Sequence, residues 1–349
     1  MASVRSMTDG SPGKLIISFA LPLMIGNLFQ QFYTIADAAI VGQVLGVSAI
    51  AAVGAAEWII WMVQGIIQGF TQGFSIQMAH EFGARDYKRL RNVIVNSAFL
   101  AAVSAFVLLV AGQALARWLL GVLNTPDAVF AEASLYIRTM FWGIPVVMAY
   151  NLFAGVLRSL GDGKTPLYAM VFASILNVVL DLLFVPVLHM GVFGAAAATV
   201  IAQLCSGVFC FFKIIRIEML KLSREDCNLS GALQLRGLNL GLRMALQNAV
   251  ISVGGMIVQF VINGFGVEFI AGFTATNKLY GMLEVAATSY GFAMTTYTGQ
   301  NLGAGETQRV RAGYRSAMAI AMETSLVIAA VMVSGGRAIL LCFISGEAK

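Results

Sequence analysis

The sequence predicts an all-α polytopic membrane protein, and three observations carry that prediction. Of 349 residues, 59% are hydrophobic and only 11% charged, whereas soluble globular chains carry about a quarter charged residues. Apolar stretches of roughly 20 residues or more recur along the chain, and at about 1.5 Å per residue each crosses a hydrocarbon layer about 30 Å thick. The breaks between them, NTPD at 124–127, GDGKTP at 161–166 and NLGAGE at 301–306, are turn chemistry. This composition excludes a disordered chain and a soluble enzyme. The alternating segments of about ten residues that build a membrane β-barrel are absent from the sequence.

Nine spans follow in order. The first, 15–42, has basic flanks but runs on too far for a secretory leader and lacks a small-x-small cleavage site. It carries Pro22 and Gly26 about three turns before Asp37; proline removes an intrahelical bond, so a kink is expected there. Spans 49–78 and 93–119 flank HEFGARDYKRLRN, a solvated loop by its charge. Spans 135–157, 167–187 and 192–212 come next, then a basic connector, then 238–264, 270–298 and 313–340. Cys205, Cys210 and Cys342 fall in apolar helices and Cys227 in a basic loop, with only two histidines in the chain. That spacing supports neither a disulfide framework nor a metal site, so free thiols are expected.

Orientation follows from Lys and Arg. All but five of the 22 fall in loops on one side; Arg117, Arg138, Arg337 and Lys349 lie opposite, and Lys278 lies within a span. The positive-inside rule therefore puts the N-terminus in the cytoplasm. The net charge of +5 is a topological signal, and no nucleic-acid partner is expected.

A duplication runs through the chain at an offset of 220. Gly46-Val47 with Ile50-Ala51 matches Gly266-Val267 with Ile270-Ala271. Gly83-Ala84-Arg85-Asp86 with Arg89 and Arg91 recurs as Gly303-Ala304-Gly305-Glu306 with Arg309 and Arg311. Six helices per unit keep both copies in one orientation, a plan used by secondary transporters. The expected division is a six-helix lobe over 1–220, the cytoplasmic linker starting at about 213–236, and a partial three-helix lobe over 221–349. A second full copy would need three more helices, so the chain reads as truncated at its C-terminus.

Carboxylates within a bilayer are expensive and mark function. Asp37, Glu57, Asp181, Glu284 and Glu323 are the candidates. Counted along their helices, Asp37, Asp181 and Thr199 all sit roughly 10 Å below the outer interface, and Asn177 shares a helix face with Asp181. Two carboxylates, an amide and a hydroxyl at one level could hold a hard cation or share protons, because burial penalises a bare charge. Glu57 and Glu323 read as structural. Glu284 reads either as a packing ion pair with Lys278 or as a substrate contact.

Four segments in this order, GSPGKLIISFALPLMIGNLFQQFYTIADAAIVGQVLG, RSLGDGKTP, LNVVLDLLFV and TGQNLGAG, resemble the multidrug and toxic compound extrusion (MATE) family, from about residue 10 to the end. The resemblance implies twelve helices in two parallel six-helix lobes, about nine of them present here. It implies a non-enzymatic, multi-pass antiporter of the cytoplasmic (inner) membrane. Such a protein exports small organic cations or amphipathic drugs in exchange for H+ or Na+, with no cofactor beyond that ion and no obligate protein partner. The family's cation site maps onto Asp37, Asn177, Asp181 and Thr199, with Tyr136 beside it. Pro22, Gly26 and Gln30 map to the cavity and the bending helix, and Glu284 is added from its position. The seventh-helix segment LNLGLRMALQNAVISVGGMIVQFVING holds no acid, unlike that of some members. The alternatives are a flippase or exporter of a lipid-linked substrate, which would want a basic cavity, and an inactive truncated fragment. A membrane-embedded enzyme is disfavoured because His80 and His189 have no catalytic company.

Overall fold

The computed structural model describes residues 4–263 and 267–343, without the side chains at 224, 259–260, 263, 267–280, 282–283, 331–332 and 335–343. The expectations for Lys278, Arg337 and Cys342 therefore lie outside the described residues.

Ten helices form the described chain: α1 Pro12–Leu45, α2 Val47–Gly83, α3 Tyr87–Val122, α4 Asp127–Trp142, α5 Ile144–Ser159, α6 Lys164–Phe184, α7 Gly191–Ile215, α8 Gly231–Asn263, α9 Val267–Gly303 and α10 Thr307–Phe343. Two 3-10 turns, Glu218–Leu220 and Arg224–Cys227, join α7 to α8. Among the described residues, six helices are individually long and apolar enough to cross a bilayer, and α4 with α5 forms a seventh span. The all-α membrane architecture is as the composition predicted.

Local chemistry sets the ends. Pro12 occupies the first turn of α1, where its missing N–H costs nothing. Asp86 caps α3 by accepting from the Arg89 N–H at 2.9 Å. Asp162 caps α6: its Oδ1 accepts from the Lys164 and Thr165 N–H groups, and its Oδ2 from the Thr165 hydroxyl at 2.6 Å. The fourth predicted span is corrected from one helix to two, bent by 44°. Gly143 breaks it, and Pro145 in the following turn has no N–H to continue the ladder. By contrast α1 continues as one helix through Pro22.

The offset of 220 reappears in the helix boundaries. α2 and α9 begin at Val47 and Val267 and end at Gly83 and Gly303; α3 and α10 begin at Tyr87 and Thr307. The packing pairs correspond as well: α1 lies against α9, and α2 lies against α8.

The seam between α1–α7 and α8–α10 is close because small residues line it. Along α2, Gly65, Gly69 and Gly73 face Asn248, Ala245 and Gly241 of α8, near enough that a methyl on Gly69 or Gly73 would strike backbone. Spacing of four puts these glycines on one helix face, and small residues let membrane helices approach without a hydrophobic drive between them. The Asn248 amide also donates to the Gly65 carbonyl at 2.9 Å.

Candidate functional site

α6 lies between α1 and α7, and that sandwich assembles the acidic cluster. Gly26 of α1 gives the close approach: a Cβ there would stand 3.1 Å from the Met170 sulfur and 3.6 Å from Leu167. Farther along α1 the same contact brings Asp37 to α6. Asp37, Asn177 and Asp181 are all buried, at 9%, 1% and 0% exposure, although each sits on a membrane helix where a polar group needs a partner.

Asn177 ties its own helix, α6, to α7. With its amide nitrogen toward Asp181, it donates to Oδ2 at 3.2 Å while its oxygen accepts from the Thr199 N–H of α7 at 3.3 Å. In the opposite orientation the nitrogen donates to the Thr199 hydroxyl at 3.3 Å and leaves Asp181 without that donor. The first orientation satisfies more groups, and amide orientation is assigned on that basis. Two carboxylate oxygens remain without a donor, Asp37 Oδ1 and Asp181 Oδ1. The charges of Asp37 and Asp181 act on each other, and both act on the hydroxyls of Tyr33 and Tyr136. Gln30 and Gln203 lie beside the Tyr33 hydroxyl.

Such a pocket can do one kind of chemistry well. Buried carboxylate oxygens without donors are costly as bare anions and are relieved by a proton or by a cation that prefers oxygen ligands. Carboxylate, amide, hydroxyl and phenol oxygens supply that ligand type. Among the described residues no three His, Cys, Asp or Glu side chains gather as metal ligands.

The sequence-predicted residues are placed as follows. Asp37, Asn177, Asp181, Thr199 and Tyr136 come together, with Gln30 reaching the group through Tyr33. Pro22 lies elsewhere, at a cavity near the start of α1. Glu284 is exposed on α9, and no hydrogen bond or ion pair joins it to the cluster among the described residues. The count that set Asp181 six residues before its helix end is corrected: α6 ends at Phe184, and Leu188 and Met190 fold back onto the Leu183 and Phe184 carbonyls.

At the basic end of the bundle the seam is shut by the residues before α1. The Met7 N–H donates to Gln300 Oε1 at 2.7 Å, Gln300 Nε2 donates to the Ser159 carbonyl at 2.8 Å, and Asn301 Nδ2 donates to the Met7 carbonyl at 3.1 Å. Arg309 reaches the Gly10 carbonyl at 2.9 Å, and the Arg5 N–H donates to the Leu160 carbonyl at 3.1 Å. Met7 is 2% exposed. Behind this strap, the guanidinium of Arg158 on α5 stacks 4.5 Å from the Phe292 ring of α9, and Gly83 and Gly303 pack on the Gln300 and His80 backbones.

Pattern comparison decides the kinship. The MatE family profile matches residues 22–183 and 244–348, more than half of the chain. The chain belongs to the MATE family. That family is one of transporters rather than enzymes. The chain is 32% identical to the probable multidrug resistance protein YpnP of Bacillus subtilis, over 87% of this chain and 68% of that protein. It matches a solved MOP superfamily transporter from Pyrococcus furiosus at a TM-score of 0.91, with 26% identity over 98% of this chain and 76% of that one. A multidrug resistance MATE family transporter solved in an outward-facing conformation gives a TM-score of 0.90, also at 26% identity, over 98% and 76%. The chain spans about two thirds of the length of the curated relatives it matches, 68%, 65% and 65% for three of them.

Sequence reading missed Tyr33 and Gln203 of this MATE cluster. A signal for Tyr33 was present, since it precedes Asp37 by four residues and shares its helix face. The strap at residues 5–10 carried no such signal, because its partners lie from about 150 to nearly 300 positions away in the chain.

Proposed function

We propose that this MATE chain acts in cation-coupled export of amphipathic or cationic drugs, with its basic end in the cytoplasm. It is read as two parallel lobes, 1–220 and 221–349, that part alternately at the two ends of the seam. The multidrug resistance relative supports the drug-export reading. The outward-facing relative and the shut seam at the basic end support an outward-facing arrangement.

The observation that carries the coupling is the pair of donor-free oxygens, Asp37 Oδ1 and Asp181 Oδ1, in one buried cluster. A coupling ion, H+ or Na+, entering from the opposite end neutralises that pair. It stabilises the arrangement of α1 against α6 that narrows the cavity. An ion moves such an equilibrium only by its differential affinity for the two states, so the charge must be affordable in one state and costly in the other. Pro22, which leaves α1 one hydrogen bond short, is where α1 yields.

The test is ethidium efflux in everted vesicles under a sodium gradient and a proton gradient applied separately. Asp37→Asn should abolish efflux under whichever gradient drives the unsubstituted chain, at unchanged membrane abundance. Full efflux by that variant would overturn the coupling role.

A further inference from the structure

We infer that the basic end carries a binding site for the phosphoryl headgroup of an anionic phospholipid, in the cavity between the strap, the start of α1 and the start of α6. This cavity holds about 280 Å³. At about 30 Å³ per water in the liquid, that is room for a phosphoglycerol group of about ten heavy atoms. Arg5 and Lys164 face it from two sides, with Ser18 between them and Leu15, Phe19 and Pro22 as its apolar wall.

Its charge is one-sided. No acidic side chain lines the cavity. Asp162, between the lining residues Gly161 and Gly163, is 1% exposed and has both oxygens engaged in capping α6, and Asp9 of the strap accepts from the Thr8 hydroxyl. The Arg5 guanidinium bonds only the Ser18 hydroxyl, at 3.2 Å, and no ion pair engages either Arg5 or Lys164 among the described residues. Two cations with no internal counter-charge beside a hydroxyl fit a phosphodiester, which accepts several charge-assisted hydrogen bonds at once.

Position selects a lipid as the source of that phosphoryl group. Lys164 opens α6 and Arg5 lies in the strap that leads into α1, on the side that gathers most of the chain's positive charge. One turn deeper the same helix faces turn apolar and outward: Leu21, three residues after Ser18, is 52% exposed, and Tyr168, four after Lys164, is 58% exposed. An acyl chain has a track there that a free anion does not need. The Arg5 backbone is already pinned through Leu160 and, by way of Met7, through Gln300. A headgroup bridging Arg5 to Lys164 therefore ties the strap to α6 across Pro22 and favours the shut seam.

The encounter with anionic lipid rests on the proposed cytoplasmic placement of this end, but binding in micelles depends on neither topology nor transport. The experiment is native mass spectrometry of the purified chain with phosphatidylglycerol and phosphatidylcholine in competition. Arg5→Gln/Lys164→Gln should lower the phosphatidylglycerol preference about 25-fold, roughly fivefold per surface charge. Lys88→Gln, at an exposed lysine of the same end that pairs with Glu225, should leave it unchanged. An unchanged preference in the double variant, an equal loss in Lys88→Gln, or complete displacement of the lipid by millimolar inorganic phosphate would each overturn the proposal. Labelling of Cys227, exposed in the α7–α8 connector, by an impermeant thiol reagent from either side separately decides the topology.

Discussion

Replacing Gly73 by alanine drives a methyl into the backbone of α8. The added Cβ would lie 2.5 Å from the Gly241 Cα and 2.6 Å from the Leu240 carbonyl carbon. Non-bonded carbons settle at about 3.5–4.0 Å, so the two helices must separate by roughly 1 Å at that level. No side chain stands in the way that could rotate aside. Overpacking costs ~1–3 kcal/mol, and a clash against backbone falls in the upper part of that range; the better helix propensity of alanine returns ~1 kcal/mol, leaving a net loss of about 1–2 kcal/mol. The melting temperature of the purified chain in detergent should fall by roughly 1–3 °C. Gly54, on the same helix with nothing within 4 Å of its added Cβ, is the internal control. Gly54→Ala should melt at or above the unsubstituted chain. If Gly73→Ala does the same, α2 and α8 do not approach as described and the small-residue seam is wrong.

Other outcomes follow from single bonds. The hydrogen bonds from Arg91 and from the Ser223 N–H hold the Asp226 carboxyl down to about 2. A depressed carboxylate contributes stability that is fully present above its unfolded value of about 3.9 and is lost as pH falls through the folded one. Docking of the 219–230 connector on α3 should therefore hold at pH 5 and be released between about pH 4 and pH 2. Hydrogen exchange over that segment reads the release, and Arg91→Leu should produce it at neutral pH. Gln300→Ala strands the buried Met7 N–H and Ser159 carbonyl, at ~1–3 kcal/mol for an unpaired group, so tryptic cleavage after Arg5 should accelerate about tenfold or more. Asn177→Ala removes the donor to Asp181. A hydrogen bond to a charged group is worth ~1.5–3 kcal/mol, so gradient-driven ethidium efflux should drop at least tenfold at unchanged abundance.

Much of this fold was legible because membrane helices announce themselves by length and apolarity, and turns by Gly, Asp and Pro. The offset of 220 read from a handful of matches sets the observed starts and ends of α2 and α9. The bend at Gly143 was legible too, in Gly143-Ile144-Pro145, but the apolar run on either side concealed it. The acidic cluster could be assembled by counting depth, since Asp37 and Thr199 sit eight residues inside their helix ends. Counting misjudged Asp181, because the turn at 185–190 is as apolar as the helix before it. Glu284 illustrates the opposite failure: position along a helix gives depth but not which way a side chain faces. The strap, the Gln300 and Asn301 bonds and the Arg158–Phe292 stack depend on contacts between distant parts of the chain, and hydropathy holds no information about those.

Whether Asp37 and Asp181 serve a single ion site is tested most directly by a double-mutant cycle on gradient-driven efflux. Groups acting on one bound ion are strongly non-additive, whereas independent sites add. Asp37→Asn, Asp181→Asn and the double variant should therefore lose the same fraction of coupled efflux. Losses that multiply in the double variant would mean two separate roles and would contradict the shared cluster.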